Sequence, residues 1–139
     1  MSNSPSTPAP AGRGLTIALW SVQALLAFAF GAAGAMKTFT PIAELALKLD
    51  WTAEAPLLTR FIGVSELAGA VGLVLPAATR IQPRLTPIAA ACLAFVMVLA
   101  AIFHVARGEA GHLAPNVVLL GLALFVAWGR WSKAPIAPR

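Results

Sequence analysis

Glu66 is the residue in this sequence whose type and setting most invite chemistry, because it stands inside a long apolar run. Counting nine residues from Leu57 at 1.5 Å each puts it roughly 13 Å into a helical span, near the centre of a bilayer. A charge at that depth costs at least about 2.5–3.5 kcal/mol, so the side chain must face other protein and be paired or protonated. A carboxylate held this way exchanges protons or anchors a cation. Four further polar groups belong to the same half of the chain's layout: Lys37, Arg60, His104 and Asn116. His104 is the most attractive partner for Glu66, since its charge switches near neutral pH. Arg60, six residues before Glu66, lies about 9 Å along the axis and on a different face, so it can at best approach. Each has a plainer reading as well. Lys37 and Arg60 snorkel to headgroups, His104 caps its helix end, and Glu66 forms a structural hydrogen bond that fixes packing. One His, one Glu and an Asn fall short of a metal ligand set, so no metal site is expected.

The elements that must position these groups follow from composition. Of 139 residues, 59% are hydrophobic and 11% charged, against about 25% charged in an ordinary soluble domain. That excludes a soluble globular enzyme and a disordered, nucleic-acid-coating chain alike. Four runs are long and apolar enough to span a membrane: 15–36, closed by Lys37; 57–75, closed by Pro76; 85–106, closed by Arg107-Gly108-Glu109; and 113–131, with Pro115-Asn116 in its first turn and Trp128-Gly129-Arg130-Trp131 as an aromatic and cationic anchor. They lack the alternating period of barrel strands and so are helices. The fold class expected is all-α, a polytopic membrane four-helix bundle. Residues 1–14 and 132–139 read as solvated tails flanking one domain, 15–131. The first span exceeds the 7–15 residues of a signal-peptide core and reads as an uncleaved anchor.

With four spans, both termini share a side with the 76–84 loop. That side collects Arg13, Arg80, Arg84, Arg130, Lys133 and Arg139 with no acid, whereas the other opposes Lys37, Lys48, Arg60 and Arg107 with Glu44, Asp50, Glu54 and Glu109. The positive-inside rule then predicts cytoplasmic termini in a cell inner (plasma) membrane. The first outer loop carries a short amphipathic helix, with Thr40 as N-cap, Pro41 at the first helical position and Ile42, Leu45, Ala46 and Leu49 at i, i+3, i+4, i+7. It is either a lid or a connector covering the bundle end, and Trp51 beside it is expected at headgroup level. Ser65 with Gly69, Ala68 with Gly72 and Gly31 with Ala35 make faces without bulk. They suit packing within the monomer better than a dimer seam, which leaves a homo-oligomer open. Met97, Phe95, Phe103 and Phe125 are candidates to line a lipophilic pocket or to face lipid. The single Cys92 reads as a small buried apolar residue.

Four spans, a lysine closing the first, Gly63-Val64-Ser65-Glu66-Leu67-Ala68-Gly69 in the second, Leu85-Thr86-Pro87 opening the third, and Met97 through His104 followed by Arg107-Gly108-Glu109 closing it resemble the DoxX-like family over residues 15–131. The resemblance implies a small four-helix membrane protein. Some members are similar to membrane subunits of thiosulfate–quinone oxidoreductases, and others are linked to thiol redox balance and oxidative-stress complexes. Lys37, Glu66 and His104 match the family's lysine, glutamate and histidine positions, while its Gly-Gly after the glutamate is Ala68-Gly69 here. The absence of a cysteine pair speaks against disulfide exchange. The expected function is a partner-dependent membrane subunit binding a quinone-like or lipophilic molecule among Lys37, Arg60, Glu66, His104 and Asn116. With no flavin, haem or iron–sulfur signature, electrons must come from an oxidoreductase partner, and the isolated chain is not expected to be an enzyme. The alternatives are a small proton-coupled transporter titrating at Glu66 and a scaffold subunit of a membrane complex.

Overall fold

The computed structural model describes residues 9–139, so the first eight residues of the expected N-terminal tail lie outside the described residues. The described chain is all-helical. Helix α1 is Arg13–Phe39, α2 Ile42–Ala46, α3 Trp51–Glu54, α4 Pro56–Thr79, α5 Leu85–Ala106 and α6 Leu113–Trp128. A 3-10 turn, Ala110–His112, leads into α6, and a π turn, Gly129–Lys133, extends it. Four segments are long and apolar enough to cross a membrane: α1, α4, α5 and the continuous stretch Ala110–Lys133. At 1.5 Å per residue the shortest rises about 33 Å, which matches the hydrocarbon thickness.

The helices run up and down around a ring, α1 against α4, α4 against α5, α5 against α6, and α6 back to α1. One end of the bundle, the loop end, carries α2, α3 and the Arg107–His112 turn. The opposite, terminal end carries Arg13, the 80–84 loop and the residues after Trp128. Leu26, Phe30, Leu73, Leu93, Ala94, Met97 and Val126 form the apolar core between the four long helices. The outward faces remain apolar, with Phe28, Phe61, Val71, Phe95 and Ile102 exposed. That is the pattern of a surface solvated by lipid tails.

Three boundaries differ from the sequence expectation. Pro76 does not close the second span, because α4 continues through it to Thr79 and Pro76 is buried. A proline here leaves the Gly72 carbonyl without its helical donor and loosens the turn. A neighbouring helix supports that turn: the Gln23 amide of α1 donates to the Leu73 carbonyl at 2.6 Å. Pro41 occupies the N-cap position of α2 instead of its first turn, and the loop adds a second short helix, α3, whose start is capped by the Asp50 carboxylate accepting from the Trp51 N–H at 2.7 Å. The C-terminal segment is not a free tail. Arg80 Nε donates to the Ala137 carbonyl at 2.9 Å, the Arg139 N–H donates to the Arg80 carbonyl at 3.2 Å, and Ala134 is buried.

The small residues serve packing within the chain, though not where the spacing suggested. Gly69 and Gly72 face Leu93 and Ala89 of α5, while the α1–α4 crossing is made by Gly34 and Gly63. A Cβ at Gly34 would lie 2.8 Å from the Gly63 carbonyl oxygen and 2.9 Å from the Leu67 nitrogen, both fixed backbone atoms. At Gly31 it would meet only the Ala70 methyl, at 3.8 Å. Gly34→Ala is therefore expected to destabilise the protein by about 1–3 kcal/mol, the usual range for forced overpacking. Gly31→Ala serves as the near-neutral control, and thermal unfolding in mild detergent checks the pair.

A candidate ligand cavity at the loop end

Lys37 lies in the last turn of α1, one turn beyond Gly34, and Glu66 lies one turn after Gly63 on α4. The backbone contact of the two glycines brings these turns together. Lys37 Nζ reaches both Glu66 oxygens at 2.8 Å, and the Glu66 side chain is 3% exposed. Lys37, not His104, is therefore the partner of Glu66. His104 is in the last turn of α5, where Gly108 at φ +70° turns the chain back and delivers Glu109 to it. His104 Nδ1 lies 2.6 Å from Glu109 Oε2, a local closure that needs no reach across the bundle. Arg60 does not approach Glu66 either. Its Nη1 donates to the Lys37 carbonyl at 2.6 Å, satisfying one of the unpaired carbonyls at the C-terminus of α1.

Four of the five candidates, Lys37, Glu66, His104 and Asn116, nevertheless line one cavity of about 460 Å³, and Arg60 does not. Its other walls are largely apolar, with Met97 and Phe103 from α5 and Leu49 and Trp51 from the first loop. The amphipathic segment thus roofs the cavity. Leu45 is buried beneath it, and Trp51, expected at headgroup level, turns inward to 8% exposure with its ring 5.4 Å from Phe103 in an edge-on contact. An interfacial position would leave that ring without this partner and uncover the cavity. Phe95 and Phe125 do not line the cavity. Phe95 is exposed on the outer face and Phe125 packs near Trp128. Cys92 likewise faces outward and is not buried.

Sequence reasoning missed three participants. His112 stacks on His104 with ring centroids 4.7 Å apart and lines the cavity. Its signal was a second histidine eight residues on, just across the Gly108 turn. Glu109 fixes the His104 ring, and Arg107 fixes Glu109 through its Nε at 2.6 Å. Hydrogen bonds from Arg107 first and His104 second hold the Glu109 carboxyl below the usual carboxylate range, against a smaller opposing effect of desolvation. Arg107 also reaches Asp50 at 3.2 Å and Glu54 at 3.6 Å, so it clasps α3 to the end of α5.

Two residues that line the cavity carry a donor without a partner. Trp51 Nε1 and Asn116 Nδ2 are buried and have no hydrogen-bond partner. Buried N–H groups are paired almost everywhere in proteins, and leaving one unmade costs about 1–3 kcal/mol. Among the described residues no cluster of His, Cys, Asp or Glu is arranged to hold a metal ion.

Comparison with protein families gives one match, the DoxX-like family, over residues 21–126. The chain belongs to the DoxX-like family. No curated protein and no solved structure shows a significant match to it. The match takes in the span carrying Glu66, the His104 turn and the cavity roof of this DoxX-like membrane protein, and it ends just before Arg130.

The ion pair sets a stability expectation for this DoxX-like chain. Lys37→Met or Glu66→Leu alone strands an unpaired charge in a buried setting and is expected to destabilise by about 3–5 kcal/mol. Lys37→Met combined with Glu66→Leu removes both charges and is expected to recover most of that loss. A double-mutant cycle of unfolding in detergent measures the coupling.

Proposed function

We propose that this DoxX-like membrane protein binds a lipophilic molecule with a carbonyl-bearing head, a quinone being the favoured class, in the loop-end cavity. The observation that carries the reading is a largely apolar cavity with Lys37, Glu66, His104, His112 and Asn116 gathered in its wall, two of whose lining residues, Trp51 and Asn116, keep a buried N–H donor without a partner. A carbonyl oxygen accepts from such groups and relieves their burial, and about 460 Å³ falls within the range of small-molecule sites. Phe103, His104 and His112 bring three aromatic rings to the cavity wall. Leu58, Phe61 and Leu99 on the rim are also exposed on the outer face, so the cavity opens sideways between α4 and α5 toward lipid tails. A lipophile enters from the bilayer by that route.

The chain's own part in this reading is to bind and orient. A bound quinone supplies two-electron redox chemistry, and a partner oxidoreductase subunit supplies the electrons, since the sequence has no redox-group signature. Lys37 and Glu66 hold a charged pair at the cavity wall, the place from which a proton accompanying reduction is exchanged. The isolated chain therefore acts as a binding subunit and not as an enzyme.

Binding to the native state alone raises stability by RT ln(1 + [L]/Kd), about 2.7 kcal/mol at one hundred times Kd. Short-chain quinone analogues are expected to raise the Tm of purified protein, and the shift is expected to shrink in Trp51→Phe and Asn116→Leu, which remove the N–H donors while keeping bulk. Proteoliposomes are expected to show no gradient-driven flux. Absence of any shift across a quinone panel favours a scaffold subunit, and proton-coupled flux from the isolated protein favours a carrier.

The same reading places both termini in the cytoplasm and the cavity at the outer side of the inner membrane, supported by the acid-free cation set of the terminal end. In a Cys92→Ala background, an impermeant maleimide added to intact spheroplasts is expected to label Gly111→Cys, where nothing lies within 4 Å of an added Cβ, and to leave Ser132→Cys, also exposed, unlabelled. The reverse pattern inverts the topology.

A further inference from the structure

Arg130, expected as part of an interfacial anchor, turns inward. It is 4% exposed, while Trp128 and Trp131 beside it remain open. Its guanidinium is held in place: Nε donates to Gln23 Oε1 at 2.6 Å and Nη1 to the Ala134 carbonyl at 3.2 Å, and the Trp20 ring lies 5.1 Å from Cζ. Gln23 is itself oriented, because its amide nitrogen donates to Leu73. What remains is Nη2, a buried donor with no partner. Arg130 lines a cavity of about 890 Å³ at the terminal end, and Arg80, Arg84 and Arg139 line it too.

Four arginines share this cavity, yet all five acidic residues of the chain, Glu44, Asp50, Glu54, Glu66 and Glu109, belong to the loop-end half. Among the described residues no carboxylate lies within ion-pairing reach of the four. Four cations at one cavity raise a strong positive potential, and a guanidinium nitrogen without a partner bonds an oxyanion more strongly than a neutral acceptor. Next to the cavity, on the outer face of α5, lies an apolar groove of about 690 Å³, and Pro87 and Trp131 line both. Ile88, Ala91 and Phe95 of the groove face the hydrocarbon.

A cationic cavity at headgroup level next to an apolar groove at tail level has the two-part chemistry of one class of molecule. We propose that the terminal-end cavity binds the phosphate of an anionic phospholipid, with Arg130 through Nη2, Arg84 and Arg139 on the headgroup and an acyl chain in the α5 groove. Basic pockets between transmembrane helices bind anionic headgroups in this way. The groove distinguishes a lipid from a free phosphate ion, which has no use for it. The arginine cavity lies at the opposite end of the bundle from the loop-end cavity, while the groove runs along α5 to Phe61, Ser65, Val96 and Leu99, which line the loop-end cavity as well.

The test uses the full chain in maltoside micelles with three additions: phosphatidylglycerol, phosphatidylcholine with the same acyl chains, and inorganic phosphate. Thermal unfolding and native mass spectrometry read the result. Phosphatidylglycerol is expected to be retained and to raise Tm with at least tenfold higher apparent affinity than phosphatidylcholine, and inorganic phosphate at the same concentration is expected to do nothing. The Arg84→Gln, Arg139→Gln double variant alters two exposed side chains that make no hydrogen bond in the structure, so its Tm without added lipid should match the parent. It is expected to lose the preference for phosphatidylglycerol at least tenfold. Equal effects of the two lipids, a full preference retained in the variant, or stabilisation reproduced by inorganic phosphate alone would each overturn the assignment, the last in favour of a free-anion site.

Discussion

The Lys37–Glu66 ion pair is the constraint around which the loop-end half of this bundle is arranged. A carboxylate near the middle of a bilayer is tolerable only with its charge met or removed by protonation, and the cation that meets it, Lys37, sits on another helix. For the ammonium of Lys37 to reach both oxygens at 2.8 Å, α1 and α4 must touch backbone to backbone, which Gly34 and Gly63 permit. Ion pair and glycine contact therefore fix the same pair of helices at the same level. Arg60 adds to the lock by bonding the carbonyl of Lys37 itself. The cavity lies beside this contact, with walls from α1, α4, α5 and the start of α6 and with Leu49 and Trp51 of the first loop over it.

Polarity in the molecule is sorted by end. The loop end pairs its charges internally, through Lys37–Glu66, His104–Glu109 and the contacts of Arg107 with Asp50, Glu54 and Glu109. The terminal end does the opposite, collecting arginines and offering them backbone carbonyls and one glutamine amide. Carbonyls orient a guanidinium but do not cancel its charge. In lipid, where hydrogen bonds between helices average only about 0.6 kcal/mol, the Gln23–Leu73 bond matters less for its strength than for holding Gln23 toward Arg130 beside the loosened turn of Pro76.

Hydropathy made the four spans legible, because lipid exposure imposes a constraint on every residue of a span. It also made Glu66 legible, since one charge in an apolar run needs no partner information to be noticed. Partner identity was a different matter. Choosing His104 for Glu66 weighed pKa over geometry, and missed that the Gly108 turn would give His104 a carboxylate of its own five residues away. Pro76 misled because the rule that proline ends a helix holds in water, whereas inside a bundle a neighbouring side chain props the opened turn. Arg130 misled for a related reason: in the sequence it stands between two tryptophans at a span end, and only the π turn Gly129–Lys133 rotates it inward. The inward rotation of Trp51 depends on Phe103 more than fifty residues away, a contact no local pattern carries.

A carrier must reach two states of comparable energy, one open to each side, and the way this bundle is closed bears on that requirement. Below the cavity an apolar core runs from Met97 through Leu93, Leu73 and Phe30 to Leu26 and Val126, and Gln23, Thr86 and Arg130 are buried toward the terminal end. Opening a path to the terminal end by moving α1 relative to α4 would part backbones that touch at Gly34 and Gly63 and charges joined beside that contact. It would also break the Gln23–Leu73 and Gln23–Arg130 bonds, which tie α1 to α4 and to the end of α6. These contacts lie at two levels of the same helix pair, so a rocking motion that spares one must disrupt the other. Lateral entry between α4 and α5, where Phe61 and Leu99 already face the lipid, disturbs none of them. The packing thus favours a ligand exchanged with the membrane over a solute passed through it.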